Sequence, residues 1–170
     1  MVLSTHAVVG ASIAGAVTGD PLVAFVIGVA SHFAIDAIPH WDYKLKAFDE
    51  ESSTIIRKNL WIDLRNIFCD FVLGVVACLV LFGGVSHYAL VSACTMGALG
   101  GVFPDLLQLP YFLSGGRWFG RLQGFHSGLQ KNKALAAKPV VGILLQLALV
   151  VLAYAFYALT SGSRPQGIDF

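Results

Sequence analysis

The sequence predicts an all-α integral membrane protein, a single domain over residues 1–170 formed by a bundle of about five helices. Three observations predict it. The chain is 56% hydrophobic and only 12% charged, with a mean hydropathy of +0.74; a soluble domain carries roughly 25% charged residues. The apolar residues fall in long runs divided by short polar segments, as in helices that cross a bilayer. The basic residues are concentrated in two of those segments, as in a chain with a fixed orientation. The net charge of +1 identifies no partner, and no nucleic-acid partner is expected.

Residues 2–18 are apolar and rich in small side chains, among them Gly10, Ala11, Ala14 and Gly15. Such a helix is short for a hydrocarbon core of roughly 30 Å. It is therefore expected inside the bundle, where small residues allow close approach. No basic segment precedes it, so it does not read as a cleaved signal peptide. His6 follows Ser4 or Thr5, either of which suits an N-cap. Thr18-Gly19-Asp20-Pro21 supplies a turn and a helix start. The second helix, residues 22–38, is followed by the most polar segment, residues 43–58.

The third helix, residues 60–82, places Asp63, Asn66 and Asp70 on one stripe at i, i+3 and i+7. Gly83-Gly84 turns the chain into the fourth helix, residues 88–109, near whose end stands Val102-Phe103-Pro104-Asp105. Residues 114–138 read as a second polar loop containing Phe125-His126-Ser127, and residues 139–160 as the fifth helix, with Gln146 as its polar interruption. Cys69, Cys78 and Cys94 lie in apolar runs without C-x-x-C spacing and read as small buried hydrophobes.

The two polar loops hold nine of the eleven basic residues, and the turns at Gly19 and Gly83 hold none. The positive-inside rule puts both loops in the cytoplasm, the N-terminus inside and the C-terminus outside. Trp41, Trp61 and Trp118 then fall near the cytoplasmic ends of the helices, where interfacial aromatics anchor.

The chemistry is concentrated in Ser31-His32-Phe33-Ala34-Ile35-Asp36-Ala37-Ile38-Pro39-His40-Trp41-Asp42. His32 and Asp36, at i and i+4, share one helical face. Pro39 breaks the helix, after which His40 and Asp42 can turn back. Imidazole and carboxylate together suit zinc, manganese or iron. The orientation sorts His6, His32, Asp36, His40, Asp70, Asp105 and His126 to one membrane face. Polar groups in a bilayer are costly and normally face the bundle interior. The candidate metal ligands are therefore His6, His32, Asp36, His40, Asp70 and Asp105. His126 and Asp42 are candidates for proton transfer, with Asp42 and Asp63 alternatively orienting an imidazole. Each position also has a plainer use: His6 as a helix-start residue, Asp105 in a helix-terminal turn, Asp63 in a surface pair with Arg65 or Arg57.

Thr5-His6, Ser31-His32-x-x-x-Asp36, Pro104-Asp105 and Phe125-His126-Ser127 resemble motifs of the membrane-bound metal-dependent hydrolases, the inner-membrane type once described as LexA-binding. More distantly, His32-x-x-x-Asp36 with Pro39-His40 is similar to the metal-binding helix of zinc-dependent phospholipase C. Leu107 stands where the hydrolase motif has a second Asp. The resemblance implies a membrane hydrolase using one or two divalent ions, zinc first, on a phosphoester of a lipid or lipid-like substrate. Arg57, Lys58, Arg117 and Arg121 are the candidates for holding the phosphate. The alternative from another class is a non-enzymatic protein that binds or transports a metal ion. A transporter would need polar residues continuing across the bilayer, which the first and fifth helices hardly offer.

Overall fold

A computed structural model describes residues 1–49, 54–130, 134–135 and 137–161. The helices are α1 (Leu3–Val17), α2 (Pro21–Asp36), α3 (Arg57–Phe82), α4 (Tyr88–Leu106), α5 (Gln108–Leu113), α6 (Gly120–Leu129) and α7 (Pro139–Ser161). Between α2 and α3, β1 (Phe48–Asp49) and β2 (Thr54–Ile55) pair antiparallel, with Phe48 opposite Ile55. Three helical stretches are long and apolar enough to cross a membrane: Lys58–Phe82, Tyr88–Leu113 and Pro139–Ser161. α1 and α2, of 15 and 16 residues, are shorter.

α1 is the central helix, in contact with α2, α3, α4 and α7. Its small side chains make that position available. Ala11, Ala14, Gly15 and Ala16 are buried along it, together with His6 and Ser12. α4 lies against both α1 and α2 through backbone-to-backbone approach. A Cβ on Gly101 would strike the His6 carbonyl oxygen, and one on Gly28 the Gly97 carbonyl oxygen. α3 and α7 turn large apolar side chains outward, including Phe68, Leu79, Val80, Leu152 and Leu159. In water such a surface would be far larger than soluble proteins expose; in a bilayer it is the lipid-facing side.

Local signals explain the helix ends. Asp20 caps α2 by accepting from Val23 N–H at 2.8 Å, ahead of Pro21 at the first helical position. α1 begins earlier than a Ser4 or Thr5 cap would give: Val2 is its N-cap and has no capping side chain. A carboxylate from another helix takes that place. Asp70 of α3 accepts from Leu3 N–H at 2.6 Å and Ser4 N–H at 3.2 Å, and from the Tyr43 hydroxyl at 3.2 Å. These are free amides of the first turn of α1, where the helix dipole also favours an anion.

Three sequence expectations change. Residues 114–138 are not simply a loop, because α6 occupies Gly120–Leu129. Its run is too polar to announce itself by composition, and it is helical because Gln123 and His126 bury one side. α3 starts at Arg57 rather than Leu60. Cys94 is buried, but Cys69 is exposed on α3, on a helix whose apolar side chains also point outward.

Candidate metal centre

Asp36 is the centre of a buried polar cluster. It closes α2 with its side chain inside the bundle, 1% exposed. His32 lies one turn earlier on the same face, and the two approach to 3.5 Å between Nε2 and Oδ2. Because Gly101 allows α4 to touch α1, His6 is brought flat against His32, with ring centroids 3.9 Å apart. His6 Nε2 lies 3.1 Å from Asp36 Oδ1. α6 supplies His126, whose Nε2 is 2.8 Å from Asp36 Oδ2 and 3.2 Å from His32 Nε2. Asp105, at the end of α4, completes the cluster: its Oδ1 is 3.8 Å from His32 Nε2 and 3.7 Å from His126 Nε2.

The hydrogen bonds around the cluster fix ring orientations. His32 Nδ1–H donates to the Gly101 carbonyl at 2.7 Å, which leaves the Nε2 lone pair directed at Asp36, Asp105 and His126. That is how a ligating imidazole is normally held. Two glutamines brace the carboxylates. Gln130 Nε2 donates to Asp36 Oδ2 at 2.7 Å, and Gln108 Nε2 to Asp105 Oδ1 at 2.9 Å. His40 lies at the rim, its Nδ1–H donating to the Ile38 carbonyl at 2.7 Å and its Nε2 3.9 Å from Asp36 Oδ1. The Met1 ammonium is 3.0 Å from Asp36 Oδ1, 3.3 Å from Asp42 Oδ2 and 2.7 Å from His40 Nε2. Burial, with the ammonium next to it, pulls the His40 imidazole below its ordinary range.

Two features make this cluster one that could hold a metal ion. First, His6 is fully buried, and neither ring nitrogen has a hydrogen-bond partner. Its Nε2 is close to Asp36 but not aligned as a donor. Buried polar atoms are rarely left so, and the missing partner of an imidazole lone pair can be a metal ion. Second, the spacing fits. Ligand atoms about 2.1 Å from a tetrahedral ion stand roughly 3.4 Å from one another, and the close ligand-atom pairs among His6, His32, Asp36, Asp105 and His126 range from 2.8 to 3.8 Å around that value. His6, His32 and Asp36 form one group whose ligand atoms lie within 4.8 Å of each other; His32, Asp105 and His126 form another. The two groups share His32, and only its Nε2 is available, so both cannot hold separate ions through that ring.

Of the predicted ligands, His6, His32, Asp36 and Asp105 are therefore together, and His40 is at the edge. Asp70 belongs to neither group; it caps α1. Its sequence position, a carboxylate inside an apolar helix, correctly implied a buried partner, but the partner is backbone N–H. His126 is in the centre of the cluster rather than on a loop beside it. Asp42 touches the ammonium and is 41% exposed in its side chain. Asp63 is buried and accepts from Ala47 N–H, fastening the segment that leads into β1 to α3. Lys58, Arg117 and Arg121 are exposed; the Arg57 side chain lies outside the described residues. Sequence reasoning missed Gln108 and Gln130. Each has a helical offset from a cluster residue, i+3 from Asp105 and i+4 from His126, a signal visible once both segments are helical.

Fold and site together define a helical protein with three helices long and apolar enough to cross a membrane and a buried His/Asp cluster that could hold a metal ion. Comparison with family models, curated proteins and solved structures gives no match.

Proposed function

We propose that this chain is a membrane-embedded metal-dependent hydrolase that cleaves a phosphoester of a lipid-like substrate at the cytoplasmic face of the cell's inner membrane. The supporting observation is the convergence of three imidazoles and two carboxylates from α1, α2, α4 and α6, with His6 left without a hydrogen-bond partner. Zinc is the first choice of ion for a His/Asp donor set, with manganese or iron next. One ion shared through His32 Nε2, Asp36 and Asp105 accords best with the single lone pair that His32 offers. Such an ion supplies Lewis acidity and lowers the pKa of water toward about 7.

The chain's own groups do the rest. Gly101 holds His32 in one tautomer, while Gln130 and Gln108 hold the two carboxylates. His126 reaches the cluster from α6, the most peripheral of its four helices, which suits it to take or give a proton. Asp42 at the rim is the second candidate for that role. Lys58 opens α3, and Arg117 and Arg121 flank the start of α6; there, with Arg57, they suit a phosphate at headgroup level.

Transport is the weaker reading because the buried core beyond the cluster is largely apolar, with Ser12 of α1 a lone hydroxyl rather than a ligand. Ala11, Ala14, Ala24, Ala93 and Cys94 fill it, and among the described residues no further His/Cys/Asp/Glu group continues the ligand set. An ion path requires polar groups across the bilayer. A five-crossing bundle with the N-terminus inside and the C-terminus outside puts the cluster on the side of both basic loops.

The test is elemental analysis of detergent-purified protein, followed by release of inorganic phosphate from phosphatidic acids and of phosphorylated headgroup or phosphatidic acid from phospholipids. At least one transition-metal equivalent and metal-dependent release, both lost in His32→Ala, are expected. Metal without release from any substrate would point to the non-enzymatic metal-binding alternative. No metal above background would remove both.

A further inference from the structure

An apolar cleft of about 310 Å³ opens beside the cluster, lined by Val26, Val29 and Phe33 of α2, Phe103 and Pro104 of α4, and Leu122 of α6. Its position is set by the same helices that form the site. Phe33 follows His32 in sequence, and its ring lies 5.2 Å from the His32 ring and 5.8 Å from the His126 ring. Pro104 precedes Asp105. The cleft thus ends against residues that flank three cluster members. Away from the site, Phe25 and Phe103 pack edge to face at 5.2 Å. From Phe33 to Phe25 is eight residues of α2, or about 12 Å along the axis.

We infer that this cleft seats the hydrocarbon chain of the substrate, so that the site acts on a lipid whose tail lies between α2 and α4 and whose polar end meets the cluster beneath α6. The inference rests on the hydrolase reading above and specifies its substrate class. The occupant follows from three facts. The lining is wholly apolar, so a polar ligand would leave its groups unpaired. α4 is among the helices able to cross a membrane, so the cleft is bounded by a bilayer-spanning element, and hydrocarbon is the phase around it. The cluster is the neighbouring polar chemistry, next to the cleft through Phe33 and Pro104 but not part of its lining, which suits an inert tail held beside a reactive head. Val26 is 59% exposed and Phe103 38% exposed, so a chain can enter sideways from the bilayer without leaving it.

The test uses full-length protein in phosphatidylcholine nanodiscs containing phosphatidic acid with a diazirine midway along one acyl chain. After irradiation, adducts are mapped by mass spectrometry. Adducts on residues 25–33 and 103–107 should exceed those on the outward face of α7 at Val151 and Leu152, and unlabelled phosphatidic acid should compete them away. Val29→Trp, which fills the cleft from its wall, should reduce the cleft adducts at least five-fold and leave the α7 adducts and the metal content unchanged. It should also lower kcat/KM for long-chain phosphatidic acid at least ten-fold more than kcat/KM for p-nitrophenyl phosphate. Cleft adducts no more abundant than those on α7, or equal losses on long-chain and soluble substrates in a Val29→Trp protein that keeps its metal, overturn the proposal. Competed cleft adducts without hydrolysis of any phosphoester would support the chain-binding cleft and sink the hydrolase. Soluble-substrate hydrolysis without cleft adducts would do the reverse.

Discussion

Replacing Asp36 by Asn tests the cluster most directly, because it keeps the side chain's shape and removes its charge. Asp36 Oδ1 faces the Met1 ammonium at 3.0 Å and His6 at 3.1 Å; Oδ2 faces His126 at 2.8 Å and Gln130 at 2.7 Å. An ion held by this carboxylate and its imidazoles binds the folded chain only, since its ligands come from α1, α2, α4 and α6 and are brought to one point only by folding. By mass action, free metal at about 1,000 times its Kd stabilises the fold by roughly 4 kcal/mol. For a chain of this length about 1 kcal/mol corresponds to roughly 2–4 °C, so chelation should lower the wild-type melting temperature by on the order of 10 °C. Asp36→Asn should melt near the chelated wild type and shift by less than about 2 °C on further chelation. The assay is thermal unfolding in detergent, with and without a strong chelator, alongside elemental analysis of the same samples. An equal chelator shift in wild type and Asp36→Asn would refute the cluster as the ion's site.

Asp70→Ala separates capping from ligation: it should cost about 1–2 kcal/mol through the lost α1 cap and leave metal content and the chelator shift intact; loss of metal there would make Asp70 a ligand after all. Gly101→Ala should destabilise by at least about 1–3 kcal/mol and release metal, because its methyl would strike the His6 carbonyl while Gly101's own carbonyl orients His32; full metal occupancy in a folded Gly101→Ala protein would contradict that account. Single cysteines placed in residues 43–58 and 114–138 of a cysteine-free variant should resist an impermeant thiol reagent in intact cells, and labelling of either segment would reverse the proposed orientation.

The sequence by itself determined what depends on local spacing and composition. Hydrophobic content and run length marked helices able to cross a membrane. Asp20-Pro21 marked the start of α2. His32 and Asp36 could be paired from their i, i+4 offset alone, because helical geometry puts them one turn apart whatever surrounds them. Only the tertiary structure decided which distant groups join them. Asp70, inside an apolar helix, and Asp105, at a helix end, both read as candidate ligands. Asp105 reaches the cluster because glycines let α4 touch α1 and α2; Asp70 instead meets the first turn of α1, where free N–H groups compete for it. The helix that carries His126, and with it Gln130, was hidden for another reason: a short amphipathic helix with few apolar residues has little periodic signal, and α6 acquires its buried side from what it packs against. The offset of two ligands within one helix is written in the chain, whereas the approach of four helices to one point depends on which side chains are small enough to let their backbones meet.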